Sequence, residues 1–237
     1  METEFSPELL LSVLRDPVIA GALALTLQTC LVAAAGFLIA GPALAWLFAR
    51  KRGWAVRSLN FLVTLPLVFP PIALGYLLLL LLGRTGPVGA LLADAGLPMV
   101  FSSAAVYFAA FVAGLPLVVR PVVAALESPA LCDLEFAAAV HGARPLTVFF
   151  KVTLPLIRTH ILSGLLLGLT RASGEVGITM MLGGNLSGRT NTLSLEIFNA
   201  VSRADFDAAT ALCLVLSAFT LLVFVLLEAL RRRSVAL

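Results

Sequence analysis

The sequence predicts an all-α integral membrane protein with about five to six transmembrane helices. Three observations carry that class. Hydrophobic residues make up 60% of the 237 residues and charged residues only 12%, whereas a soluble domain carries about 25% charged residues. The apolar runs far exceed the roughly 10 residues of alternating pattern that a barrel strand needs. Hydrocarbon offers no partner to unpaired backbone groups, so long apolar runs must be helical. A net charge of +3 does not indicate nucleic acid here, because the placement of charge matters more than its sum.

The first residues, METEFSPELLLSVLRDP, are acidic where a cleavable signal would be basic. Ser6-Pro7-Glu8 reads as a helix start, which predicts a short amphipathic helix over Glu8 to Arg15 at the membrane surface. Val18 to Ala49 is the first span, stopped by Arg50-Lys51-Arg52. Trp54 marks an interface. Leu59 to Leu82 is the second span, and Pro66, Pro70, Pro71 and Gly75 predict that it is kinked or broken. Irregular backbone at that depth survives only beside protein or water, so this span is a candidate pathway element.

Val100 to Val119 is the third span, ended by Arg120-Pro121. A polar connection covers residues 121–155, within a single domain of residues 1–237. Leu156 to Leu182 is the fourth span, Leu193 to Val201 a short helix, and Ala208 to Leu230 the last clear span. Lys and Arg concentrate at Arg50, Lys51, Arg52, Arg57, Arg120, Arg144, Lys151, Arg158 and the terminal arginines. Such an excess marks the cytoplasmic side. The N-terminus is then outside, the C-terminus inside, and the 121–155 connection cytoplasmic. Cys30, Cys132 and Cys213 show no metal spacing and read as packed free thiols.

The connection has its own chemistry. Leu134 to Val140 favours helix, with Asp133 near its start, and Gly142 can supply the left-handed residue that ends it. Pro145 starts another turn bearing Val148, Phe149 and Phe150, and Leu154-Pro155 leads into the next span. Small residues at Ala137, Ala138 and Ala139 admit a close partner surface. Either another protein grips this stretch, or it lies on lipid headgroups with Arg144 and Lys151 touching phosphate.

At this point the chain resembles a known family. Membrane subunits of ABC importers carry a cytoplasmic loop with Glu-Ala-Ala, a Gly after three more residues, then Ile-x-Leu-Pro. Ala137, Ala138, Gly142, Val152, Leu154 and Pro155 fall at that spacing. Phe136 stands in the place of the Glu, and Glu135 lies one residue earlier. The resemblance implies the type I importer permease fold. It also implies a coupling helix using Glu135, Phe136, Ala137, Ala138, Gly142, Phe149, Phe150, Leu154 and Pro155 to dock on an ATP-binding subunit. The segment from Leu65 to Gly89 looks like the second span of molybdate permeases. RASGEVGITMMLGGNLSGRT (Arg171 to Thr190) is similar to the region that oxyanion permeases write as Gly-Glu-Phe-Gly…Gly-Asn, with Val176 in place of Phe. Molybdate, tungstate and sulfate permeases share versions of it.

Arg171 and Glu175 are four residues apart and share a helix face inside the membrane. They line or gate the anion path, orient helices, or do both. Gly174 and Gly177 read as close-packing residues, and Gly183-Gly184-Asn185 as a break. With Pro70 and Pro71 these residues form the candidate path. Asn185, Ser187, Arg189 and Thr190 are expected at the outer mouth. His141 and His160 read as solvated or interfacial. Thr26, Gln28 and Thr29 are candidates for hydrogen bonds between helices.

The chain carries no Gly-x-x-x-x-Gly-Lys-Ser/Thr sequence, so ATP and Mg are expected on a partner chain, with no cofactor on this one. The implied assembly is a homodimer of this permease, two ATPase subunits and an extracytoplasmic oxyanion-binding protein, in a bacterial or archaeal cytoplasmic membrane. A remote alternative is an intramembrane hydrolase using Ser173, which would need a histidine on a neighbouring span.

Overall fold

The computed structural model describes residues 16–235. The surface helix expected over Glu8 to Arg15 lies outside them. Among the described residues, four helices are long and apolar enough to cross a membrane: Pro17–Arg50, Ser103–Leu126, Pro145–Ser173 and Phe206–Arg232. Where the sequence predicts the second span, two shorter apolar helices stand instead, Trp54–Val68 and Pro71–Leu82.

Helix α1 runs from Pro17 to Arg50. Asp16 caps it by accepting from the Val18 N–H at 2.8 Å, and Pro17 occupies the first turn, where its missing donor is harmless. Its 34 residues extend about 51 Å, well beyond a hydrocarbon core of about 30 Å. The second crossing is broken outright. Helix α2 (Trp54–Val68) and helix α3 (Pro71–Leu82) are separated by extended backbone at Phe69 and Pro70. Two prolines in a row remove two donors, and each pushes its predecessor out of helical geometry.

A turn and the short helix α4 (Gly89–Asp94) lead to α5 (Ser103–Leu126), capped by Ser102. Here the structure corrects the expected end of the third span. Pro121 does not stop the helix; it lies inside it. Burial of Val122, Ala125 and Leu126 carries the chain past the proline. Helix α6 (Pro129–Val140) then begins five residues before the Leu134 start read from sequence. The Ser128-Pro129 pair is the true start signal, since Ser128 accepts from the Leu131 N–H.

Helix α7 (Pro145–Val148) passes through a wide π-turn at Phe149–Thr153 into α8 (Leu154–Ser173). The wide turn sits where Pro155 withdraws a donor. The expected continuous span from Leu156 to Leu182 is also corrected. It breaks at Gly174 to Val176, and a separate short helix α9 covers Gly177–Gly183. Helix α10 (Leu193–Ser202) is too short to cross, and α11 (Phe206–Val235) completes the set.

Helices α1, α5 and α8 make the core. In lipid, apolar side chains gain little by leaving their surroundings, so close backbone approach holds helices together. Val118 of α5 is fully buried among glycines. A Cβ placed on Gly41 or Gly168 would come within 2.6 Å of a Val118 methyl, and one on Gly164 within 2.9 Å of the Val118 carbonyl oxygen. Gly114 faces Gly168 in the same way, with 2.6 Å to its carbonyl. Gly168→Leu should therefore overpack this contact, lowering stability by about 1–3 kcal/mol. Gly21→Leu, at a site with nothing within 4 Å, should not. Thermal unfolding of the purified variants in detergent checks both.

Candidate gate and coupling knuckle

The two broken crossings meet each other. A Cβ on Gly177 would stand 2.7 Å from the Pro71 Cβ and 2.9 Å from the Ile72 nitrogen. One on Gly75 would stand 2.9 Å from the Ile178 Cα. Helices α3 and α9 thus lie backbone against backbone, each just past a break. Gly177 is a packing glycine, as its sequence context predicts. Gly174 is not: its Cβ would meet only the Thr170 carbonyl, at 3.7 Å. It ends α8 instead.

Glu175 holds this break together. It is 2% exposed. Its Oε1 accepts the Ile178 N–H at 2.7 Å, satisfying a free donor at the start of α9. Its Oε2 pairs with Nη1 of Arg171, on the last turn of α8. One carboxylate therefore joins the tail of one helix piece to the head of the next. The Ser194 hydroxyl adds a tie from α10 by donating to the Ser173 carbonyl at 2.7 Å.

At the far end of α9, Gly184 has φ +74° and Asn185 φ +50°. Both lie in the left-handed region that Gly and Asn tolerate best. The Phe101 ring packs where a Gly184 Cβ would be, at 2.4 Å. Asn185 is held in an amide cluster: its Nδ2 donates to Asn199 Oδ1 at 2.6 Å, and its Oδ1 accepts from Asn191 Nδ2 at 3.0 Å. Thr190, expected at an open mouth, is fully buried. Its hydroxyl donates to the Gly183 carbonyl and accepts the Leu186 N–H, both at 2.8 Å, which fastens the loop. Ser187 and Arg189 remain exposed. A polar cavity of about 680 Å³ opens here, lined by Asn185, Asn191, Glu196, Asn199 and Arg203 among others.

The knuckle lies at the opposite end of α1. Gly142, at φ +81°, closes α6 with two reversed hydrogen bonds: Ala143 N–H to the Ala138 carbonyl at 3.1 Å, and Gly142 N–H to that of Ala139 at 2.9 Å. Glu135 does not point outward. Its Oε2 takes a hydrogen bond from Arg50 Nη2 at 2.5 Å, and its Oε1 one from the Thr153 hydroxyl at 2.5 Å. Arg50 also stacks over the Trp46 ring, 5.1 Å from its centroid, and Phe149 meets Trp46 edge-on at 5.3 Å. The end of α1, helix α6 and the π-turn are thereby locked into one unit. Large apolar side chains face outward, Phe136 at 72% exposure, Leu146 at 73%, Val140 at 67% and Phe150 at 60%, interspersed with exposed Asp133, His141, Arg144 and Lys151. Ala137 is exposed beside Phe136, and Ala138 is half-buried.

The family described as "Binding-protein-dependent transport system inner membrane component" matches residues 35–235. The chain belongs to that family. It is 42% identical over 196 residues to the "Molybdenum transport system permease protein ModB" of Mycobacterium bovis, covering 82% of this chain and 73% of that one. It is 36% identical over 206 residues to "Sulfate permease 2, chloroplastic" of Chlamydomonas reinhardtii, covering 87% of this chain and 56% of that protein. In fold it is similar to a solved bacterial alginate ABC transporter in complex with its pentasaccharide-bound periplasmic protein, with TM-score 0.70 and 19% identity, covering 97% of this chain and 83% of that one. The protein is a transport permease subunit of a multi-pass inner-membrane family.

Several partners of the candidate path and coupling residues are not apparent from the sequence. Arg50 reads from sequence as a stop signal and a cytoplasmic-side charge, and its pairing with Glu135 spans 85 positions. Thr153 was not singled out. Thr26 does reach another helix, accepting the Leu193 N–H at 2.9 Å, and Gln28 accepts from Tyr107 at 3.0 Å. Thr29 bonds only its own helix, through the Leu25 carbonyl. The Ser173 hydroxyl donates to the Thr170 carbonyl. His160 lies thirteen residues away on the same helix, about 20 Å along its axis.

The Arg171–Glu175 pair yields a sharp stability prediction. Removing one partner of a buried pair strands the other, at about 3–5 kcal/mol, whereas replacing both by apolar residues is close to neutral. Arg171 is partly exposed, which places the expected loss for Glu175→Met at the low end. Arg171→Met/Glu175→Met should lose clearly less than the sum of the two single variants. Thermal unfolding of the four proteins measures the difference.

Proposed function

We propose that this permease is the membrane subunit of an ATP-driven molybdate importer, carrying tungstate by the same path. The supporting observation is the 42% identity, over most of both chains, to a protein named for molybdenum transport. The candidate site agrees with a transport role. It has a seam of two broken crossings, where irregular backbone can border water. It also has an apolar knuckle that is exposed in front and braced from behind.

In this reading two copies of the chain pair around the path. Two cytoplasmic ATPases, which bind ATP and Mg, each receive one knuckle. Phe136, Phe150 and Leu146 make the apolar contact, and Ala137 lets the partner approach closely. Glu135 serves differently from the role its position in the loop suggests: it transmits rather than docks. Closure of the ATPases moves α6, and the Glu135–Arg50 and Glu135–Thr153 bonds oblige α1 and α8 to follow. The α3–α9 seam then shifts and opens the path outward, toward a binding protein docked at the Asn185 loop. Hydrolysis resets it. The N-terminus faces outward and the C-terminus the cytoplasm.

The test is uptake by the complete transporter in proteoliposomes, with radioactive molybdate and unlabelled competitors. Tungstate should roughly halve the signal at equal concentration and nearly abolish it at about 100-fold excess. Sulfate should have little effect even at about 100-fold excess, a discrimination of about 2.7 kcal/mol. Competition by sulfate at equal concentration would replace molybdate with sulfate as the cargo.

A further inference from the structure

Arg120 stands in α5, a helix long and apolar enough to cross a membrane, without a carboxylate beside it among the described residues. Arg120 precedes the end of α5 at Leu126 by six residues, about 9 Å along the helix. Its Nη2 donates to Thr64 Oγ1 of α2 at 2.9 Å. The Thr64 hydroxyl donates onward to the Asn60 carbonyl at 2.6 Å, which leaves its oxygen turned to accept. Thr64 follows the exposed Trp54 by ten residues, about 15 Å of helix. The Phe69–Pro70 break is little more than one turn further on. The continuation of α5 past Pro121 sets Arg120 inside a helix long and apolar enough to cross a membrane, rather than at its last residue.

Arg171 is neutralised by Glu175 and Arg50 by Glu135, whereas Arg57 near the start of α2 and Arg158 near the start of α8 have no carboxylate partner among the described residues. Among the described residues Arg120 forms no ion pair. It is exposed on the single chain, while Val118, Val119 and Val122 around it are buried. Helix α2 beside it buries none of its side chains. A charge on a crossing helix faces protein or water rather than hydrocarbon, and the open side of the Arg120–Thr64 pair is free to do so.

We infer that Arg120, oriented by Thr64, is a contact site for the oxyanion on the inner half of the path. The inference rests on the oxyanion reading above. Thr64 takes one of the two Nη2 hydrogens, which leaves one bidentate edge of the guanidinium, a pair of parallel N–H donors, for oxygens of a tetrahedral dianion. Arg171 does not supply this, because Glu175 occupies it. One cation with a neutral neighbour attracts an anion without a closed cage, as a passage site requires, since the ion must also leave. In a pair of permeases each copy contributes one such arginine.

Uptake of radioactive molybdate by the complete transporter in proteoliposomes tests this, together with thermal unfolding of each variant. Arg120→Gln keeps a donor for Thr64 but loses the charge, and should lower uptake at least about tenfold. Arg120→Lys should retain a larger share than the Gln variant. If Arg120→Gln imports as the unmodified protein does, the residue is only a staple between α2 and α5 and the inference fails. If the unmodified transporter imports no oxyanion at all, the cargo reading fails with it. Accessibility gives a second measurement, independent of transport. With Cys30, Cys132 and Cys213 replaced by alanine, Arg120→Cys should react with a water-soluble anionic thiol reagent, and molybdate should slow that reaction. No reaction, or a rate indifferent to molybdate, overturns the site.

Discussion

The Arg50–Glu135–Thr153 contact is the junction on which the rest depends. A membrane subunit driven from outside the bilayer needs a rigid link between its cytoplasmic surface and its spans. Around this junction Phe136, Val140, Leu146 and Phe150 are exposed apolar side chains. The charged cluster behind them is what fixes their position. Arg50 ends the longest helix, Glu135 lies in the middle of α6, and Thr153 closes the turn before α8. Two of the three helices that form the core therefore begin or end at one carboxylate.

The core they enter suits such a role. Val118 is enclosed by Gly41, Gly164 and Gly168, so α1, α5 and α8 touch through backbone and small groups. Interfaces of that kind slide or tilt as units, since no long side chains can rearrange to absorb a displacement. The α3–α9 seam is the contrasting part. Both of its helices are short, both start at a break, and Glu175 is the only acidic group bridging α8 to α9 among the described residues. Displacement of the rigid part has its natural outlet there.

Much of this was legible in the sequence, for physical reasons that are local. The spans follow from run length, the break at Pro70-Pro71 from missing donors, and the Gly142 turn from a backbone conformation that favours glycine. What was not legible depends on partners distant in sequence or on competition between signals. Glu135 and Arg50 are far apart in the chain, and each alone reads as an ordinary surface charge. Glu135 thus looked like a docking residue when its bonds face inward. The Gly174–Val176 break was hidden because Arg171 and Glu175 have helical spacing, yet Glu175 satisfies a donor beyond the break. Pro121 misled in the opposite sense: burial of the following turn outweighs its lost hydrogen bond.

The central claim is that the Arg50–Glu135 bond carries motion from the knuckle to the spans, and a charge exchange tests it most directly. The quantity to measure is molybdate imported per ATP hydrolysed by the complete transporter. Glu135→Arg should lower that ratio by about tenfold, equivalent to about 1.4 kcal/mol of coupling, with the ATPase still bound. Arg50→Glu/Glu135→Arg should recover a large part of it. A Glu135→Arg transporter with an undiminished ratio, or an exchange variant no better than the single one, would contradict the account.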